Sequence, residues 1–397
     1  MRYHSNGHPN TEANKEGQMT DIFDGSHYRE LLEKEVTIDG RGVGHTYFSE
    51  DHDVALGLAS DGICPWRHRK ATFWPILLYN FNLPPDERFH DDNMICIGEI
   101  PGPAKPKDMD SFLYPAVQEL LKLAVGVQAY DVIDEEIFTL HAYLVTVFGD
   151  IPAVSMLLRM KGQNGRSPCR LCMIQGIRIP NSRITTHYLP LCRKNLQANH
   201  TDYDPADLPM RTHEQFMEQA HKVQFAETNA EAERLSTKYG INGIPLLSVL
   251  DSSSLPLSTG YEFMHLMFEN TIPNLALLWS GNFKGLDTNQ PFVFSKPVWD
   301  AIGATTAATQ STMPSSYGAA VPNIATDRSS FTAETWSQWA LFVGPVVLNG
   351  RFSNRRYYGH FCELVKLIKL CLKFELSKED ISTIRNGFIR WVKKYEE

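Results

Sequence analysis

The chain has no run approaching the ~18 consecutive apolar residues that would cross a bilayer, and its opening residues, MRYHSNGHPNTEANKEGQ, are polar with no apolar h-region. A membrane-spanning or obviously secreted protein is therefore not expected, and no membrane partner. Cysteine is sparse and odd in number, seven residues with a single CxxC at Cys169 and Cys172. That does not fit a disulfide framework and points to a reducing compartment. Neither G-x-x-x-x-G-K-[ST] nor a dinucleotide fingerprint occurs, so nucleotide-dependent chemistry is unsupported. No internal repeat is visible. Positive charge is also in deficit: 38 Lys and Arg against 46 Asp and Glu leave a net charge of −8, an awkward balance for a protein that must hold phosphates.

What is there reads as globular. At 43% hydrophobic and 21% charged residues, and with a length of 397, the chain can form two or more cooperative units. Basic residues cluster locally at Arg67 to Lys70, Arg159 to Arg166, Arg351 to Arg356 and Lys366 to Lys394. Residues 1–20 are expected as a flexible lead. Three apolar runs follow, VALGLAS, FWPILLYNF and MICIGEI, each closed by Gly or Pro, and they predict a meander of buried strands. SFLYPAVQELLKLAVG has helical spacing. TLHAYLVTVFGDIPA is β-branched and aromatic, and predicts a strand that stops near Asp150. Strands, a helix and a further strand imply an α/β sheet.

Beyond it, residues 161–250 are turn-rich, carry the CxxC and end in a helical stretch from Thr212 to Lys238, an insertion rather than core. YEFMHLMFENTIPNLALLW, within 251–302, is helix-like, 303–330 read as a linker, and two helices close the chain, the last opened by a capping box at Ser377 and Asp380.

Acids at the ends of buried strands are well placed for chemistry, because open α/β sheets present ligands there. Asp61 and Asp150 occupy such positions. Taken singly, each is also an ordinary turn residue. A helix through EFMHLMFEN puts Glu262, His265 and Glu269 on one face, a pattern equally suited to a solvated surface. Pro273 lies four residues after Glu269, where its ring meets the Glu269 carbonyl, so a kink or restart is expected. The seven tryptophans could stack on bases, but core packing is the plainer role.

Taken together, LGLASDGICPW, WPILLYNFNLPP, IPGPAKPKDMDSFLYPAVQELLKL, FGDIPA, CRLC, EFMHLMFENTIPNLALLWSG and VPNIATDRSSFTAETWSQW resemble the transposase of CACTA-type (En/Spm-like) elements, especially the version found in fungal genomes. The resemblance runs from about Asp21 to the C-terminus. It implies an RNase H-like mixed sheet flanked by helices over 21–160 and a DDE-type acidic triad. Asp61 matches the first acid, Asp150 the second in D-x-P-A, and Glu269 the third in M-H-x-x-x-E-N, with His265 beside it. Glu334 in FTAETW is the fallback. At Glu262 the family usually has Asp.

Such a triad would hold two Mg²⁺ or Mn²⁺ ions, Asp61 bridging them, Asp150 on one and Glu269 on the other, for in-line phosphodiester hydrolysis and strand transfer. The partners implied are double-stranded DNA, both terminal repeats and target, with self-association or an accessory DNA-binding protein, and the compartment implied is the nucleus. The resemblance also implies a zinc-stabilised insertion in which Cys169 and Cys172 match the paired cysteines. One CxxC is half a tetrahedral site. His187 is the favoured third ligand, with Cys192, His200 and His213 also nearby. A redox pair or two structural thiols are the alternatives. Two other functional readings remain at this point: a catalytically inactive remnant or co-opted DNA- or protein-binding factor, which the net acidity favours, and a related nuclease acting on RNA or hybrids.

Overall fold

The computed structural model describes residues 3–64, 72–178, 188–193, 202–283, 288–318 and 320–397. Contacts divide the chain into two units, Met1–Tyr261 and Glu262–Glu397.

In the first unit, short helices α1 (Glu12–Lys15) and α2 (Ser26–Leu32) precede a hairpin of β1 (Glu35–Ile38) and β2 (Arg41–Thr46). The polar opening is folded, contrary to the expectation of a flexible lead. His4 and His8 are buried, and His8 Nε2 lies 3.1 Å from Asp24 Oδ2. Both imidazoles pack beside Phe23, with centroids 6.2 and 5.6 Å away. Polar composition concealed this because a histidine ring offers an apolar face as well as a polar edge.

The main sheet is built from β3 (Val54–Ser60), β4 (Phe73–Asn80), β5 (Met94–Pro101) and, after α3 (Met109–Val125) and the hairpin β6 (Val127–Asp131) and β7 (Glu136–Leu140), β8 (Ala142–Phe148). Its order is β5-β4-β3-β8. The first three strands form the expected antiparallel meander, and β8 pairs parallel to β3, so the sheet is mixed. A parallel partner needs a crossover, and α3 contributes to it. Asp108 caps that helix, and Met109, Leu113, Val117 and Leu120 recur every three or four residues along its buried face. They pack with Leu56, Leu58, Ile76 and Leu78.

Two strand expectations are corrected. β5 is an exposed edge rather than a buried strand, with Ile95 and Ile97 open to solvent. The run through TLHAYLVTVF breaks at His141 into β7 and β8, because His141 turns inward to Asp53, Nδ1 to Oδ1 2.8 Å. After α4 (Ile151–Leu157), the segment expected as one helix from Thr212 is two, α5 (His213–Gln224) and α6 (Asn229–Tyr239), because Thr228 starts a new N-cap.

The second unit is helical: α7 (Phe263–Leu266), a π-turn at Met267–Thr271, α8 (Ile272–Trp279), α9 (Lys296–Ala308), α10 (Ala333–Gln338), α11 (Gly344–Val347), α12 (Arg355–Cys371) and α13 (Lys378–Glu396). Trp279, Trp299, Trp336, Trp339 and Trp391 lie in its core, so core packing accounts for these tryptophans. The capping box at Ser377 and Asp380 is formed. Residues 303–330 are not a linker throughout. Gly303 and Thr306 of α9 are buried, as are Val321 and Ile324 beyond it. Small Ala, Thr and Gly residues made this stretch look like a connection, whereas Gly303 lets Asn323 and Ala325 pack close against α9.

Candidate functional site

The pairing of β3 with β8 sets the geometry at one edge of the sheet. Ala59 stands opposite Phe148 in the parallel register. Two residues further on each strand come Asp61 and Asp150, so two acids lie at the C-terminal ends of adjacent strands. Gly149, with φ of 151°, makes this approach: a Cβ there would be 2.7 Å from the Ser60 carbonyl oxygen. Both carboxylates are half-buried. Asp61 Oδ1 accepts from the Gly62 N–H at 2.6 Å. Asp150 is the N-cap of α4, with Oδ1 accepting from Ala153 N–H at 2.5 Å.

Glu262, His265 and Glu269 lie in the second unit and meet there as the spacing predicted. Glu262 caps α7, accepting from the N–H groups of Met264 and His265. His265 bridges the two acids, with Nδ1 2.5 Å from Glu262 Oε2 and Nε2 3.5 Å from Glu269 Oε2. Met267 and Phe268 are buried beneath them, while Met264 is exposed. The conflict posed by Pro273 is resolved without breaking the helix. The π-turn at Met267–Thr271 widens the backbone around Glu269, and Pro273 then sits in the first turn of α8, where no N–H is needed. Glu334 is exposed on α10 and accepts from Gln338 Nε2 at 3.2 Å.

The paired cysteines form a tight knuckle. Cys172 N–H donates to Cys169 Sγ at 3.2 Å, and Cys169 Sγ is 3.2 Å from the Tyr261 hydroxyl. Arg211, itself buried, donates from Nε to the carbonyls of both cysteines and so braces the loop. A hydrogen bond between the two thiols, with Cys172 the donor, pulls the Cys169 thiol down to about 5, despite burial. The same bond, with burial, pushes the Cys172 thiol up. One thiolate with a second sulfur beside it is a soft donor pair suited to zinc. His187 and His200 lie outside the described residues. Cys192 is exposed, and His213 Nδ1 is taken by the Leu255 N–H at 3.0 Å. The basic cluster from Arg67 to Lys70 and Trp66 are likewise outside the described residues.

Sequence reading missed one grouping. Among the described residues, His52, Asp131 and Asp134 alone form a trio of His, Cys, Asp or Glu whose ligand atoms lie within 4.8 Å of one another. The β6–β7 hairpin brings them together, with His52 Nε2 2.9 Å from Asp131 Oδ2. His52 precedes β3 whereas Asp61 follows it, so at ~3.3 Å per residue the length of the strand separates the two. No sequence motif marks this trio, since nearly eighty positions separate His52 from Asp131.

A family model described as "Transposase family tnp2" matches residues 41–240, about half of the chain. That span includes Asp61, Asp150, Cys169 and Cys172. No curated protein sequence matches.

Proposed function

The chain belongs to the tnp2 transposase family, and from that premise we propose that Asp61 and Asp150 form the metal-holding edge of a DDE-type strand-transfer site. In this reading the mixed sheet is an RNase H-like core and the element is CACTA-type, of the version found in fungal genomes. Glu269 is the third acid, and the compartment is the nucleus. The observation that carries the reading is the register of β3 and β8, which puts two half-buried carboxylates at neighbouring strand ends.

The donor set fits a hard divalent cation. Mg²⁺ takes oxygen ligands, keeps several waters and needs only a few carboxylates. When bound, a pair of such ions would stabilise the charge on the entering and leaving oxygens. The protein's own part is orientation. The Gly62 N–H holds one oxygen of Asp61, and the Ala153 N–H holds one oxygen of Asp150. His265 steadies Glu269 through its second nitrogen. Water attacks a phosphodiester at the element end, the P–O bond to the leaving strand breaks, and a 3′-hydroxyl is freed. That hydroxyl then attacks a target phosphodiester, displacing a target 3′-oxygen without a covalent enzyme intermediate.

Zinc held by Cys169 and Cys172, with further ligands from the 161–250 region, would fix this region as a rigid element, supported by the thiolate and the Arg211 brace.

The test is cleavage of a labelled terminal-repeat duplex in Mg²⁺ or Mn²⁺, comparing the chain with Asp61→Ala, Asp150→Ala and Glu269→Ala. Loss of cutting in each variant is expected. A folded chain that binds duplex DNA and never cuts would instead be a binding factor or an inactive remnant.

A further inference from the structure

The deficit of positive charge is not uniform. Residues 351–397 carry eleven Lys and Arg against six Asp and Glu, in a chain where acids are in excess overall. α12 concentrates this charge on one face. Its buried side is Phe361, Leu364, Val365, Leu367 and Ile368. Positions 355, 359, 362, 366 and 369, three or four residues apart, run along the opposite side. Arg355, Lys366 and Lys369 are exposed there. None of the three makes an ion pair among the described residues, because the one acid of α12, Glu363, is taken by Lys394 at 2.7 Å and approached by Arg390.

Between the cations the stripe is flat. Gly359 is exposed, with open space where a Cβ would be. A helix-interior glycine costs ~1 kcal/mol relative to alanine and leaves the backbone approachable. One wall of the stripe is aromatic: Lys369 Nζ lies 5.3 Å from the Phe342 ring centroid, and Phe342 packs on Tyr317, both rings partly open to solvent. From Arg355 to Lys369 the helix rises ~21 Å. That matches about six nucleotides of one strand of a duplex at ~3.4 Å each.

We propose that this face of α12 is a docking surface for the sugar-phosphate backbone of duplex DNA, read without base specificity. The proposal rests on the reading that the substrate is duplex DNA. It assigns to the second unit a phosphate-holding role that neither the family match nor the acidic residues supply. Arg355, Lys366 and Lys369 would each meet a phosphate, and Gly359 would let the backbone lie close to the helix.

The experiment is fluorescence anisotropy of the full chain with a labelled 30-base-pair duplex of arbitrary sequence and with the matching single strand, over a salt series. The variants are the triple Arg355→Glu, Lys366→Glu, Lys369→Glu, the corresponding triple Gln variant, and a charge-matched control with Lys15→Glu, Lys122→Glu and Lys222→Glu. The expected result is a loss of about tenfold or more in duplex affinity for both stripe variants, with the slope of log K against log salt falling by about 2.7 for three lost phosphate contacts. The control should bind as the unaltered chain does.

Unchanged affinity and slope in the stripe variants overturns the proposal. So does an equal loss in the control, which would show net charge alone at work, and so does binding confined to the single strand or no binding by the unaltered chain. The fate of the cleavage reading is separate. A chain that binds duplex through the stripe but never cuts retains the docking surface and loses the nuclease. A chain that cuts, while the stripe variants bind normally, retains the nuclease and loses the surface.

Discussion

Gly149 passes Ser60 so closely that a Cβ on it would stand 2.7 Å from the Ser60 carbonyl oxygen. That contact closes the end of the β3–β8 pair and brings Asp61 and Asp150 side by side. Gly149→Ala must push the strand ends apart, at a cost of about 1–3 kcal/mol for overpacking. We expect a lower midpoint in urea denaturation and weaker DNA cleavage by the folded fraction. An unchanged midpoint would show that this approach does not hold the acids in place.

Asp150 has two tasks that substitution can separate. As the N-cap of α4 it accepts from Ala153 N–H, and alanine there should cost about 0.5–2 kcal/mol. Asparagine keeps a capping oxygen but removes the negative charge. Asp150→Asn is therefore expected to melt within a few degrees of the unaltered chain and still abolish metal-dependent cutting, whereas Asp150→Ala loses both stability and cutting. If Asp150→Asn cuts DNA at the original rate, the carboxylate is a cap and nothing more.

The knuckle at Cys169 and Cys172 makes a prediction about metal content. The chain purified without chelator should carry about one zinc per molecule by elemental analysis, as a single structural site requires. Cys169→Ser should remove it, and a strong chelator should lower the melting temperature of the unaltered chain but not that of the variant. Equal zinc content in chain and variant would assign these thiols a purely structural place.

Three histidines should make the fold acid-sensitive. Burial lowers the proton affinity of His4, His27 and His360 below the ordinary histidine value. His4 Nδ1 faces the Asn82 amide, Nδ2 at 3.0 Å, and as the acceptor of that hydrogen bond the ring is neutral. A group whose folded-state pKa is depressed contributes stability that is complete above its unfolded value, near 6.5, and is lost as pH falls toward the folded one. The melting temperature should therefore drop between pH 7.5 and pH 5.5, and His360→Gln should flatten part of that drop. A flat profile over this range would mean that these rings are solvated when the chain is folded.

Much of the local structure was legible in the sequence. Apolar runs of strand length located β3, β4 and β5, three-to-four-residue spacing located α3, and the Ser377–Asp380 box located the start of α13. These features depend on residues close in sequence, so period and punctuation are enough to reveal them. Pro273 is an intermediate case. Its clash was foreseen, but the π-turn that absorbs it was not.

By itself, then, the sequence determined where regular elements lie, which acids follow strands, and which helix face would place His265 beside Glu262 and Glu269. Only the tertiary structure decided that β8 returns parallel to β3, which makes neighbours of Asp61 and Asp150 across nearly ninety positions. It also decided that His4 and His8 are core residues, that the small residues around Gly303 pack inside, and that His52 meets Asp131 and Asp134. The reason is common to all of these: such contacts are rewarded only after distant segments have closed a loop, and the side chains that make them carry no local signal of the partner they will find.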